Sequence, residues 1–383
     1  MASDSCPSGN PKVKVRRRSQ DRKRKKVQAE EVQGLTSAGH TALQEGRPQE
    51  ALRHLSHALE AAGQLQDSRV IRACSFNLGA AHVEAGHAQK GLEFLRRAQP
   101  GPKADRLPDL QYNLGQAHNA LGQDREAVGH FLRAAQLYRS QGDGGSEGHA
   151  CLEMGRCHHR TQDWAPAAQA FLRAAESFRL AAMLDSAALA LKEAGSVMIQ
   201  SDQFSRDDII GVLNDCLSET DRITDAQMQG ELYLSVGVSF CQLHRFPEAL
   251  GCFQAALGPM AERPPLLAKA LHNLGATLNA LGQFTPALQY HRLAAALYGS
   301  LGCRGDQAWC FRNLALALSR LGEEEEAAES LGHALQSFRD TGPAHQCGSC
   351  VIIMGCYGRV TCTSPPVPHR GPPGGGSGVR VAS

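Results

Sequence analysis

Aromatic residues make up only 5% of this chain, and no run of about 20 apolar residues could span a bilayer. No early apolar stretch has the form of a signal peptide. Thirteen cysteines, an odd count scattered along the chain, show no disulfide framework and read as reduced thiols. Together these absences lead us to expect a soluble cytoplasmic protein without membrane contact. Its core must be filled mainly by alanine and leucine, which suits helices that approach one another closely.

The signatures of chemistry are missing too. There is no phosphate-binding glycine loop and no HExxH pair. Cys347-x2-Cys350, with Cys356, Cys362, His345 and His369 nearby, is the most metal-like cluster, but it lacks two well-separated ligand pairs and no metal is expected there. Cys151, Cys157, His158 and His159 read as helical residues, because no group that would orient a nucleophile can be named. Glu323 to Glu326 sit where a helix would begin, and the helix dipole favours acids there. Neighbouring helical residues do not converge on one ion, so a metal site is disfavoured. We expect a non-catalytic protein with no catalytic residue and no cofactor.

Charge is present but unevenly placed. Residues 1–28 carry ten lysines and arginines, among them Arg16, Arg17, Arg18, Lys23, Arg24, Lys25 and Lys26, against Asp4 and Asp21. Residues 341–383 add three arginines and no acid, which leaves the middle of the chain near −9 within a formal total of +2. Like charge this dense repels itself, so a disordered leader is expected over 1–28, at most weakly helical beyond Arg22. Its two basic clusters resemble a bipartite nuclear-localisation signal, which keeps nuclear import open beside a solubilising role. No aromatic lies among them to stack a base, so nucleic-acid binding is disfavoured. Docking of this leader in cis on the acidic middle is a further expectation.

What fills the middle is repetition. The stretch from His272 to Tyr298 reads as a helix, a tight turn and a second helix, with Thr285 as expected N-cap and Pro286 at the first helical position. A small residue anchors the first helix at Gly39, Gly79, Gly115, Gly155, Gly195, Gly237, Gly275 and Ala315, at intervals of 40, 36, 40, 40, 42, 38 and 40. Seven residues after each comes a turn, glycine at Gly46, Gly86, Gly122, Gly282 and Gly322. Second-helix contacts follow at 12, 16 and 19 residues, as in Ala127, Phe131 and Ala134, or Ala167, Phe171 and Ala174. Only the fifth unit fails, with Asp207, Gly211 and Asn214 at those places. Helices of about 13 residues are marginal alone in water, so the units must stack.

Leucine-glycine followed by alanine, aromatic, alanine resembles the tetratricopeptide repeat, over roughly residues 30–340. The repeats are about 40 residues long rather than the common ~34, which is similar to the Pins/LGN adaptors and kinesin light chains. The resemblance implies an all-α solenoid, a right-handed superhelix of about eight helix-turn-helix units. Its divisions would be residues 29–184 as units one to four, 185–225 as a divergent unit five, and 226–340 as units six to eight. Residues 341–383 would form an incomplete repeat and a Pro/Gly-rich disordered tail, with Met354-Gly355 in the place of a ninth anchor.

The resemblance also implies a peptide groove lined by first helices. Two residues before the anchor lie Asn77, Asn113, Glu153, Asn273 and Asn313; four after lie Asn119, His159 and Asn279; three before lie His272 and Arg312. An asparagine ladder suits an extended peptide, since each amide can donate to a carbonyl and accept from an N–H. The alternative is that these amides bond neighbouring helices within the stack. Extended, basic protein segments are the expected partners of an acidic groove. One rival is a carboxylate clamp for a chaperone tail, which Lys269, Asn273 and Arg312 partly fit. The other is a nuclear factor that contacts nucleic acid through the leader.

Overall fold

The computed structural model describes residues 11–98 and 106–340. Among them are sixteen α-helices and no strand. The helices form eight antiparallel-paired units: α1 (Pro11–Gln44) with α2 (Pro48–Leu65), α3 (Ser68–Glu84) with α4 (Ala88–Arg97), α5 (Leu107–Ala120) with α6 (Asp124–Gln141), and α7 (Gly144–Arg160) with α8 (Trp164–Leu180). They continue as α9 (Leu184–Ile199) with α10 (Arg206–Thr220), α11 (Ala226–Gln242) with α12 (Phe246–Leu257), α13 (Pro264–Ala280) with α14 (Phe284–Ser300), and α15 (Arg304–Leu321) with α16 (Glu324–Asp340). Each helix packs chiefly on the one before and the one after it, which is the quasi-linear arrangement of an α-solenoid.

The anchor glycines set this packing. A Cβ built on Gly115, Gly155 or Gly237 would lie 2.6–2.7 Å from the ring of Phe131, Phe171 or Phe253, each sixteen residues on and fully buried. Gly39 and Gly79 meet Leu55 and Leu95 in the same register. A side chain at the anchor would therefore push the two helices of a unit apart.

In seven of the eight units the turn residue seven after the anchor has positive φ. Gly46, Gly86, Gly122, Gly282 and Gly322 have φ between 70° and 84°, and Gln162 and His244 are held in the same left-handed region at 61° and 58°.

The fifth unit is a regular pair with two residues inserted. Gly195 meets Leu213, eighteen rather than sixteen residues on, and Ile209, Leu213 and Cys216 are buried where other units place alanine, aromatic and alanine. The insertion falls between α9 and α10, where Ser205 caps α10 by accepting from the Asp208 N–H at 3.1 Å. One continuous core runs through this unit, from Ala134 to Ala287. The Asp207, Gly211 and Asn214 register is thereby corrected, and the interval of 42 is its trace in the sequence.

Two further expectations are revised. Helix α14 begins at Phe284 with Gln283 before it, so Thr285 is not its cap and Pro286 lies inside the first turn, where its missing N–H has no helical acceptor. The leader is helical from Pro11 onward as part of α1, where disorder was expected. Lysine, arginine and glutamine are good helix formers, and adding residues to an already docked helix avoids the nucleation cost. Lys23, Arg24, Lys25 and Lys26 are exposed on that helix rather than seated in a groove, and Lys26 pairs with Glu30 at 3.9 Å. Residues 341–383, with the Cys347 and Cys350 cluster, lie outside the described residues.

Candidate functional site

First helices of successive units leave grooves between them. One, of about 410 Å³, is lined by Ala80, Val83 and Glu84 of α3 and by Asn113, Gln116, Asn119 and Ala120 of α5. Counted from the anchors Gly79 and Gly115, all seven positions fall two before, one after or four or five after. A second groove, of about 520 Å³, lies between α9 and α11, with Leu189, Lys192, Glu231 and Ser235 among its lining.

The asparagines divide into two groups by what they touch. Among the described residues, the half-buried side chains of Asn77, Asn113 and Asn313 make no hydrogen bond to the protein. Asn119 is engaged: it donates to Gln116 Oε1 at 3.5 Å and accepts from Arg160, whose guanidinium also pairs with Asp124. Gln116 in turn donates to the Tyr112 hydroxyl at 3.0 Å, so the wall around Asn113 is held by a chain of polar contacts.

Unit seven departs from the expected ladder. Asn279 is buried and its amide donates to His291 Nε2 at 3.1 Å and to the Asn313 carbonyl at 3.0 Å, which ties unit seven to unit eight. His272 is buried with Nδ1 3.1 Å from the Cys310 sulfur, and Asn273 is buried as well. These three were expected in the groove; their burial takes them out of its lining, because unit seven fills its core with polar side chains. Burial also pushes the His272 imidazole down to about 4 and that of His291 to about 3, the latter helped by His272 nearby.

Of the remaining candidates, Glu153 is half-buried and pairs with Arg156 at 2.6 Å, and His159 lies against Trp164 with ring centroids 5.7 Å apart. Arg312 is exposed and lies over the Trp309 ring at 5.1 Å. Lys269 is half-buried on α13. With Asn273 buried, the carboxylate clamp expected from Lys269, Asn273 and Arg312 lacks its amide. Sequence reasoning missed Lys192, Glu231 and Ser235 of the second groove. Ser235 could have been found, since it sits two residues before Gly237.

Nucleophilic chemistry finds no support in the thiols. Cys151 and Cys157 are buried and pushed up to about 11 by desolvation, which keeps them protonated near neutrality. Among the described residues no group of three or more metal-ligating side chains converges, and no helix is long and apolar enough to cross a membrane.

Residues 266–340, which take in α13 to α16, match the tetratricopeptide repeat family model. The fold is similar to that of a Signal Transduction ATPase with Numerous Domains protein with a tetratricopeptide repeat sensor from Pyrococcus horikoshii: 14% identity, TM-score 0.53, over 76% of this chain and 44% of that one. It is also similar to the apo form of RapI, at 11% identity and TM-score 0.52, over 81% of this chain and 98% of that one. The chain thus spans less than half the length of the first of these relatives. At such identities the likeness speaks for the fold alone. The last two units thus match the tetratricopeptide repeat model, and the described residues form an all-α solenoid.

Proposed function

We propose that this protein is a non-catalytic interaction scaffold that holds extended segments of other proteins along the face made by its first helices. The observation that carries this reading is the state of the asparagines two residues before the anchors. The side-chain amides of Asn77, Asn113 and Asn313 spend no hydrogen bond on the described residues, and Asn113 lines a groove in which Gln116 and Asn119 are held in place. A half-buried amide left unbonded by its own chain is ready to bond a ligand backbone.

The acidic middle of the chain favours ligands with basic side chains. Glu84 in the first groove, and Asp225 and Glu231 in the second, would meet them, with Met228 and Leu232 beside the latter pair for their aliphatic stems. The extended form of the ligand is what the resemblance to Pins/LGN and kinesin light chains implies. A cytoplasmic location, with nuclear import through the basic leader as the second reading, completes the proposal.

The test is selection of peptides from a random displayed library by the full chain, repeated with Asn77→Ala, Asn113→Ala and Asn313→Ala combined. Enriched basic peptides that lose at least tenfold in affinity to the triple variant, at unchanged helicity, support the reading. Equal binding by the triple variant refutes it.

A further inference from the structure

Neither groove is lined by a second helix. The second helices form a layer of their own, and its charge is split along the solenoid. On α4 and α6 six bases stand against three acids, whereas on α10, α12, α14 and α16 three bases stand against ten acids. Units two and three are thus a basic region of a chain whose middle is acidic.

Those bases are also uncommitted. From Arg139 to Arg245 every arginine but Arg206 is in an ion pair. From Arg69 to Arg133 none of the seven arginines is in one among the described residues. Unit four shows the reason. Arg173, eighteen residues after its anchor, meets Glu147, eight before the same anchor, at 2.8 Å, and Arg139 meets that carboxylate at 2.9 Å. Arg97 and Arg133 hold the register of Arg173 in units two and three, but Ile71 and Leu107 stand there in the place of Glu147.

Arg96, Arg97 and Arg133 are all exposed. Half-buried His130, whose Nδ1 lies 2.9 Å from Gln111 Oε1, links the two helices that carry them. Burial, His118, and then the guanidiniums of Arg133 and Arg96 hold its imidazole below the ordinary value, so arginines of neighbouring units share one neighbourhood. Arg96 and Arg97 sit in the last turn of α4, where the helix dipole favours a base, but Arg133 stands in the middle of α6 and has no such reason.

We propose that the second-helix face of units two and three, centred on Arg96, Arg97 and Arg133, binds an acidic segment of a partner protein, a run of aspartate and glutamate side chains. Each guanidinium presents a fork that matches a carboxylate. Adjacent helical residues diverge by about 100°, so Arg96 and Arg97 do not close on a single phosphate and a line of separate carboxylates fits them better. The Phe94 ring beside them is covered by Arg97 at 5.5 Å, which leaves no open aromatic face to stack a base. Exposed pairs of this kind are individually weak, so binding needs several at once and weakens with salt. The site stands apart from the groove reading. With it, one chain bridges two partners of opposite charge, a basic segment on the first helices and an acidic one on the second.

Fluorescence anisotropy of a labelled deca-glutamate peptide, titrated with the full chain at low salt, tests this. Arg96→Gln, Arg97→Gln and Arg133→Gln combined should weaken binding on the order of tenfold or more. Two controls remove charge elsewhere: Arg263→Gln, Arg320→Gln and Arg339→Gln together, and Lys23→Gln, Arg24→Gln, Lys25→Gln and Lys26→Gln together. Each should cost less than about threefold. All these side chains are exposed, so every variant keeps its helices. Absence of binding overturns the proposal, as does a loss in the first variant no larger than in either control. Equal loss in the Asn77→Ala, Asn113→Ala and Asn313→Ala variant would seat the peptide in the groove and also overturns it. So does a species that grows with concentration in sedimentation and vanishes in the first variant, which would put Glu324 to Glu326 of a second copy on this face.

Discussion

Units four and seven share a helix crossing but not its chemistry. In both, a Cβ on the anchor glycine would lie 2.7 Å from a flat ring sixteen residues on: Phe171 under Gly155, His291 under Gly275. Phe171 belongs to a wholly apolar cluster. His291 is as deeply buried, yet it touches Asn279 and faces the His272 ring at 6.2 Å, and the Asn279 Oδ1 and the Asn273 Nδ2 have no hydrogen-bond partner among the described residues. The shape of the crossing is thus set by glycine and a ring of the right thickness. Its energy is set by what the ring is made of.

The largest effect should come from removing the ring. Phe171→Ala is expected to cost about 3–5 kcal/mol, the range for a buried aromatic truncated in a packed core. His291→Ala should cost clearly less in the same urea titration, because it also removes a desolvated polar group. Equal losses would mean that the polar contacts of unit seven are as stabilising as the apolar ones of unit four.

A smaller loss should follow from adding a single methyl at the anchor. Gly155→Ala and Gly275→Ala each force a ring to move by several tenths of an ångström, at an expected cost of about 1–3 kcal/mol. The two should match within error, since the obstruction is the same in both units. A much smaller loss at Gly275 would show that the polar core of unit seven is looser than its geometry suggests.

Acid should separate the units. His272 and His291 are held below the ordinary imidazole value of 6.5 by burial, at about 4 and about 3. The unfolded chain takes up protons that these sites refuse in the folded state. Their contribution is therefore whole above pH 6.5 and is lost as pH falls from there towards 4 and then 3. His291→Phe, which installs the ring found in units three, four and six, should flatten the fall of unfolding free energy between pH 7.5 and 5. The limit is about 1.4 kcal/mol per pH unit for one group. An unchanged slope would place the acid sensitivity elsewhere.

How far the sequence foretold this depends on what each feature needs. The anchors and their partners were legible because a close crossing admits few residues, and the same few recur at 40-residue spacing. The two-residue shift of unit five was visible in the interval of 42, but small contacts read at fixed offsets hid Ile209, Leu213 and Cys216. The groove was legible only in part. Asn119 and Asn279 share an offset, four after the anchor, and one lines a groove while the other bonds His291, a residue twelve positions away whose ring stands where other units have phenylalanine. Burial of an amide is decided by such neighbours, not by its own offset. The helical leader was missed because charge repulsion was weighed against disorder without counting the docked helix it extends.

The smallest effect concerns the turns, and it compares units that obey the glycine rule with those that do not. Gln162, Ala182 and His244 sit at φ of 61°, 56° and 58°, where a Cβ crowds the following carbonyl at a cost of about 1–2 kcal/mol. Glycine removes that crowding but adds freedom to the unfolded chain, which offsets up to about 1 kcal/mol of the gain. Ala182→Gly is the cleanest case, since only a methyl is lost, and a net gain of about 0.5–1 kcal/mol is expected from thermal unfolding. Gly122→Ala, at φ of 70° with open space around its Cα, should lose about as much, because the same two quantities enter with opposite sign. If Ala182→Gly instead destabilises, the turn between units four and five draws its order from the methyl itself, and relief of left-handed strain is not what distinguishes glycine turns from the rest.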